Sequence, residues 1–329
     1  MVKSSFKDKI QDLHNRGTST MLIYLLKRGS YEFRKKLLKQ RFVEINVHNY
    51  RMIVDLNDPG ISRTLIHFGT REKDHIYILN KELSSGSVII DLGANIGYYA
   101  LMEANIVGND GYVYAIEPSP SNVDLLRKNI SLNNYNDIVK IFQMGASNKT
   151  GKEEFYTSEM SNLGTFSSTR YYGKSSMTKN SPSIYIKTTT IPDFIVNKKT
   201  IDFIRMDIEG YEVEVFEGMM PLLEDINFSP KILFETHRPK YDDTHHSMRK
   251  TLIKMFKYGY YPKIIVSNDH PKGEFLKRGY KPETLIHTDG YWRGIYYGVA
   301  NKDAIDFICD IGFVRAVLLE KRQIGKSNI

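Results

Sequence analysis

The chain has 329 residues, 41% of them hydrophobic and 12% aromatic, enough apolar material for one large domain or two modest ones. With 23 Gly, 11 Pro and a single cysteine, Cys309, the composition excludes collagen-like, broadly disordered and disulfide-framed chains, and any metal cluster built on several cysteines. The formal net charge of +8 lies wholly in residues 1–41, where 11 Lys and Arg face three acids, while the other 288 residues balance at 35 against 35.

Residues 1–41 read as a basic helical extension with a break at Gly29–Ser30. Its cations alternate with Leu22, Leu25, Leu26, Phe33, Leu37 and Leu38 at near-helical spacing. That pattern suits a solvated helix pair packed on the main domain. It also suits attachment to an anionic membrane surface, and less well a nucleic-acid contact, because a nucleic-acid enzyme usually spreads its basic residues over the binding face. No stretch approaches the ~18 apolar residues of a membrane span. The charged N-terminus lacks an apolar signal region, so the expected location is the cytoplasm, at most peripheral at the membrane.

Residues 42–87 read as short strands and a helix around an Asp58-Pro59-Gly60 turn. From residue 88 strands and helices alternate. Strands are expected at Val88–Leu92, Tyr112–Ile116, Val139–Phe142, Ile201–Met206 and Ile232–Phe234, with later ones at Ile264–Val266 and Ile295–Ala300. Helices are expected near 97–107, from Ser119 to about Leu132, near 211–224, over 247–258 and over 303–322, the last holding Cys309 as a small apolar filler. This order predicts an α/β fold, a Rossmann-like, doubly wound, mostly parallel sheet over residues 42–329. Residues 158–183 and 267–291 interrupt it. The first is rich in Ser, Thr, Asn, Gly and Tyr, and is expected to be a surface loop or a lid over a site.

The most informative segment is Val88-Ile-Ile-Asp-Leu-Gly-Ala-Asn-Ile-Gly97, an apolar strand ending in an acid and a Gly-flanked turn into a helix. Glycines there let a ligand approach the backbone closely. The spacing Gly93-Ala-Asn-Ile-Gly97 is not that of a dinucleotide fingerprint, and Asp91 would repel a pyrophosphate. A carboxylate there suits a cationic ligand such as an amino-acid ammonium group. The next strand ends in Glu117, where an acid accepts hydrogen bonds from both ribose hydroxyls. A cationic head and a ribose together describe S-adenosylmethionine better than NAD.

Five blocks in order over residues 50–266 resemble the FkbM family of class I methyltransferases. They are Asp91-Leu-Gly-Ala-Asn-Ile-Gly-Tyr-Tyr, Tyr114-Ala-Ile-Glu-Pro-Ser-Pro, Leu125-Leu-Arg-Lys-Asn-Ile-Ser-Leu-Asn133, Asp202-Phe-Ile-Arg-Met-Asp-Ile-Glu-Gly-Tyr-Glu212 and Leu233-Phe-Glu-Thr-His237. Arg205 departs from the lysine the family often carries. The resemblance implies S-adenosylmethionine-dependent O-methylation, often of sugars or secondary metabolites. The candidate cofactor-binding set is Asp91, Gly93, Ala94, Asn95 and Gly97, then Glu117 and Pro118, then Gly145 and Ala146.

Methyl transfer from such a donor requires an aligned acceptor hydroxyl and a group to take its proton. The strands ending Met206-Asp207-Ile-Glu209 and Phe234-Glu235-Thr-His237 should flank the first strand, so Asp207, Glu209, Glu235 and His237 are the candidate catalytic residues. His237 is the candidate base, Glu235 the group that orients it, Asp207 the residue near the methyl end and Glu209 a substrate holder. These residues form an oxygen-rich set with one imidazole, but carboxylate pairs are common without metal and none is expected. His245 and His246 are expected to face solvent. The alternatives are nucleic-acid methylation, for which the strand end lacks an Asn/Asp-Pro-Pro-aromatic sequence, and a non-catalytic S-adenosylmethionine-binding protein.

Overall fold

The computed structural model describes residues 18–158, 160–166, 182–238, 241–242, 244–268 and 273–322. Helix α1 (Thr18–Lys36) is followed by a hairpin of β1 (Phe42–Val47) and β2 (Tyr50–Asp55), then α2 (Ile61–Phe68) and α3 (Lys73–Glu82). α1 runs through Gly29 and Ser30 without the expected break. A helix-interior glycine costs only about 1 kcal/mol against alanine, and the turns on either side hold it in line.

The central sheet begins with β3 (Val88–Leu92), α4 (Tyr98–Val107), β4 (Tyr112–Ile116), α5 (Pro120–Leu132) and β5 (Val139–Phe142). All five residues of β3 are buried, as expected of a parallel strand covered on both faces. Its alternate residues separate cleanly: Ile89 enters the core under α4, while Val88, Ile90 and Leu92 enter the core on the other face. A side sheet follows, made of β6 (Gly145–Ala146), β7 (Gly151–Tyr156) and β8 (Ser183–Thr189), leading into α6 (Ile191–Ile195). The main sheet resumes with β9 (Phe203–Met206), α7 (Glu212–Met219), β10 (Lys231–Glu235), α8 (Met248–Lys257) and β11 (Tyr260–Ser267). α8 buries Met248, Thr251, Leu252 and Met255, a spacing of one helical face, and Ser247 caps it by accepting from the Lys250 amide.

The stretch 267–291 is not wholly irregular. It holds α9 (Glu274–Lys277) and β12 (Thr284–Thr288), which pairs with β13 (Tyr291–Tyr297) at the sheet edge. The expected helix over 303–322 is corrected. α10 (Asn301–Asp306) runs into a π-helical turn at Phe307–Ile311, where Cys309 is half-buried, and the chain then becomes β14 (Val314–Lys321). Gly312 and Phe313 both take positive φ and end the helix, and the apolar run after them is a buried strand, a pattern that periodicity alone does not separate from a buried helix.

The nine-stranded order is β12-β13-β11-β14-β10-β9-β3-β4-β5. From β10 to β5 the pairings are parallel, while β14 lies antiparallel between β10 and β11. The sheet is thus doubly wound and parallel in the half that carries the motifs, and mixed in the other half. Strand order reverses at β3, with β4 on one side and β9 on the other. That reversal opens a crevice beyond the carboxyl ends of these strands.

Candidate active site

The ends of β3, β4 and β9 border a cleft enclosing about 540 Å³ of space open to solvent. Gly93, Asn95, Glu117, Pro118, Gly145 and Ala146 line it, joined by Asp207 and Glu209 at the inner end. Gly93 has φ 82°, and a Cβ there would collide with the Asp207 carbonyl, so the first turn and the end of β9 pass in contact only because residue 93 has no side chain. Gly145 serves the same end on the opposite wall, where a Cβ would strike the Phe166 ring. Gly97 does not reach the cleft. It starts α4 at φ 96° and lies against Leu126, where it serves helix packing.

Glu117 is buried on the cleft wall. One carboxylate oxygen accepts from the Asn95 amide at 2.9 Å, the other from the Ser119 amide at 2.9 Å and from Asn122 Nδ2 at 3.1 Å. Burial pushes its pKa up to about 7 against the pull of these donors. Asn95 Nδ2 and Asn122 Nδ2 also donate to the Ser161 carbonyl, at 3.0 and 2.9 Å. Ser161 in turn donates from N and Oγ to Asp58. Ser161, Asn162, Gly164, Thr165 and Phe166 of the expected loop or lid therefore form part of the cleft wall, with Phe166 tilted against Tyr211 and edge-on to Phe155. Residues 159 and 167–181 of that segment lie outside the described residues.

Asp91 is not on the cleft surface. It is fully buried and accepts from Arg205 Nη1 at 2.8 Å. Arg205 Nη2 reaches Asp207 at 3.2 Å, and the guanidinium lies 3.8 Å from the Tyr99 ring centroid. The ammonium contact expected of Asp91 is thereby replaced by an internal ion pair, and the departure at Arg205 proves to be a buried cation bridging two strand ends. Burial raises the Asp207 pKa, but Arg205, His237 and Arg71 together hold the carboxyl below its ordinary value. Asp207 is not a helix cap, since α7 starts only at Glu212. Ala94 sits with Arg71, Tyr98, Tyr99, Arg205 and Asp207 around a smaller recess behind the first turn.

Glu209 has φ 53°, a left-handed conformation costly for a residue with a side chain, and Gly210 follows at 91°. This turn brings Glu209 to His237. The imidazole is 2% exposed, with Nδ1 2.9 Å from Glu212 Oε1. Its Nε2 faces Glu235 Oε1 at 3.5 Å and Glu209 Oε2 at 3.7 Å. Burial opposes protonation of the ring, but the three carboxylates, Glu212 foremost, raise its pKa to about 9. Glu235 is not the residue that orients His237. It is paired with Arg315 of β14, and burial pushes its pKa up to about 8. The orienting group is Glu212, the last residue of the Asp202–Glu212 block. His246 is also corrected: it is buried, with Nε2 2.9 Å from the Gly210 carbonyl and Nδ1 2.9 Å from Glu214 Oε1, and so supports the strained turn from behind. Ligand atoms of Asp207, Glu209 and His237 lie within 4.8 Å of one another, close enough to hold a cation.

Residues 91–262 match the family model described as the methyltransferase FkbM domain. The chain belongs to the FkbM methyltransferase family. Among curated relatives it is similar to the hexuronic acid methyltransferase AglP of Haloferax volcanii, 29% identical over 168 residues, covering 50% of this chain and 62% of that protein. A shorter match of 65 residues at 31% identity joins it to the protein-L-isoaspartate O-methyltransferase of Methanococcoides burtonii, covering 20% of this chain and 32% of that one. The chain thus spans less than two thirds of either relative. Among solved structures it is similar to M. jannaschii TYW2 in complex with AdoMet (14% identity, TM-score 0.37, covering 86% of this chain and 88% of that one). It is also similar to the precorrin-6y C5,15-methyltransferase of Geobacter metallireducens (13%, TM-score 0.38, covering 77% and 90%).

Proposed function

We propose that this chain transfers the methyl group of S-adenosylmethionine to a hydroxyl of a sugar or related small-molecule acceptor. The observation that carries the reading is the closeness of two features: a carboxylate-anchored turn on the cleft wall suited to a nucleoside, and a buried Glu212–His237 dyad whose Nε2 lies 3.7 Å from Glu209, a residue of the cleft lining. The residues fit the cofactor. Glu117 presents a desolvated carboxylate to a pair of ribose hydroxyls. Phe155, Phe166 and Tyr211 supply aromatic walls, and Asp207 and Glu209 supply negative charge for a cationic amino-acid end.

The cofactor brings an activated methyl group, and the protein has to bind, orient and deprotonate. Glu212 holds Nδ1, which leaves Nε2 to accept the proton of an acceptor hydroxyl, the division of labour seen wherever a carboxylate fixes a catalytic imidazole. With a pKa near 9 the ring is mostly protonated at neutral pH, so the base form grows as pH rises. A cationic ligand in the cleft opposes ring protonation and draws that value down. A uronic-acid sugar is the first acceptor to test, because the relative from Haloferax volcanii is named for one.

The test is transfer of radiolabelled methyl from S-adenosylmethionine to uronic-acid and neutral saccharides, with calorimetry of cofactor binding alongside. His237→Ala is expected to lower turnover by about 10²–10⁴-fold with cofactor affinity retained. Glu117→Ala is expected to weaken cofactor binding by roughly 1–3 kcal/mol. Cofactor binding that ignores Glu117→Ala removes the nucleoside assignment. Turnover that ignores His237→Ala removes the base. Activity abolished by chelator and restored by a divalent ion reassigns Asp207, Glu209 and His237 as metal ligands.

A further inference from the structure

α1 is fixed to the domain by one face. Tyr24 is buried in a ring cluster with Phe68 and His67, and Tyr31 is buried and donates to the Leu56 carbonyl at 2.9 Å. Seven residues separate these tyrosines, two helical turns, so both lie on one side. The opposite side carries Leu22, Leu25, Leu26 and Phe33 at spacings of three, four and seven, with exposures of 58, 49, 65 and 51%. Leu37 and Leu38, just past the helix, continue the stripe at 73 and 59%. Large aliphatic side chains this exposed and contiguous need an occupant.

The charges beside the stripe say which. Between residues 18 and 41 stand Lys27, Arg28, Arg34, Lys35, Lys36, Lys39 and Arg41, with Glu32 the one acid. Glu32 already pairs with Lys36 at 3.0 Å, Arg41 pairs with Asp55 at 3.0 Å and Lys35 donates to the Tyr31 hydroxyl at 3.3 Å, yet the segment keeps a clear excess of cations. Two copies of this chain meeting stripe to stripe would bring their cations together, which is unfavourable. An anionic surface would neutralise them while receiving the leucines. The stripe is also a ridge on a convex helix, not a groove that would accept a peptide. No described helix is long and apolar enough to cross a membrane, so the helix is suited to lie in an interface.

We infer that the outward face of α1 seats on the surface of an anionic phospholipid bilayer, with Leu22, Leu25, Leu26 and Phe33 entering the headgroup boundary and the flanking Lys and Arg meeting phosphates. The cations gain from the negative potential of an anionic leaflet, and the apolar side chains add their burial. α2, on which α1 packs, begins at Ile61, which lines the recess shared with Asp207, so the anchored helix connects through one element to that recess.

The test is co-sedimentation of the full chain with phosphatidylcholine vesicles, with and without phosphatidylserine. Binding is expected to the anionic vesicles and to fall at least about tenfold without phosphatidylserine or at high salt. Leu26→Glu with Phe33→Glu is expected to lower binding by about tenfold or more with the thermal transition unchanged, since both side chains are already in solvent. Full chain that ignores anionic vesicles overturns the inference. So does binding insensitive to the double substitution, or a substitution that instead converts a dimer to a monomer in sedimentation. This result is independent of the acceptor assay and stands or falls apart from it.

Discussion

At the scale of single residues the site is a set of carboxylates whose roles are separated by their partners. Glu117 meets backbone amides, Asp91 and Asp207 share Arg205, Glu235 meets Arg315, and Glu212 meets His237. Among the described residues, Glu212 is the carboxylate that holds the imidazole Nδ1. Removing its charge removes the largest cause that raises the ring's pKa, while burial, which lowers it, remains. Glu212→Gln is therefore expected to move the alkaline midpoint of the turnover profile below that of the unsubstituted chain, by about one unit or more, and to lower the plateau because the ring is less firmly oriented. The sign matters: the base form appears above the folded pKa, so a lower pKa extends activity toward neutral pH. A profile recorded for both proteins checks this, and an unmoved midpoint transfers the titration to another group. The sequence makes Asp207, Glu209 and His237 legible as acids and a base at strand ends. It conceals the Glu212 contact, because the turn through Glu209 and Gly210 that folds Glu212 under His237 depends on a positive φ at a non-glycine residue. It conceals the fate of Asp91 as well, since the strand that places Arg205 directly beside Asp91 comes more than a hundred residues later in the chain, and nothing local records that pairing.

At the scale of elements, the segment after β7 is tied to the rest of the cleft by a relay of polar contacts. Asp58 accepts from Gly60, Ser62 and both donors of Ser161, and the Ser161 carbonyl accepts from the two asparagines that flank Glu117. The Asp58-Pro59-Gly60 turn is legible in the sequence as a turn. Its reach of 103 residues to Ser161 is not, because nothing local records which loop a turn's carboxylate will meet. Asp58→Ala removes four hydrogen bonds at once and leaves amides in a largely buried place without their acceptor. The expected outcome is weaker cofactor binding by roughly 1–3 kcal/mol, with turnover at saturating cofactor changed little, since Asp58 does not line the cleft that holds Glu117. Calorimetry and steady-state kinetics on the same preparation separate the two effects. A fall in turnover alone places the segment with the acceptor instead.

At the scale of the whole molecule the strand order β5-β4-β3-β9-β10 follows from the alternation of apolar runs and helical segments, since right-handed crossovers and a reversal at β3 leave few other arrangements. The far half was less legible: β14 looks helical in sequence, yet it is the strand that closes the structure. It inserts between β10 and β11, and Arg315 at its start reaches both Glu235 on β10 and Glu72 before α3. Two distant parts of the chain, one of them preceding the motif region, are thus clamped by the last strand. Arg315 is largely buried, and so are both acids. Arg315→Ala leaves Glu235 with the His237 ring at 3.5 Å and no guanidinium, and Glu72 with Arg71 and the Tyr99 hydroxyl. Breaking a buried ion pair from one side is expected to cost about 3–5 kcal/mol of stability, because the charge left behind is not returned to water. Denaturant unfolding near neutral pH should show that loss as a lower midpoint. The same variant at a pH below the carboxylate range should lose less, because a protonated Glu72 no longer needs the guanidinium, whereas Glu235, with its pKa already up at about 8, carries its charge only at alkaline pH. A loss that is equal at both pH values would mean that Arg315 acts through packing of its aliphatic stem and not through the ion pairs.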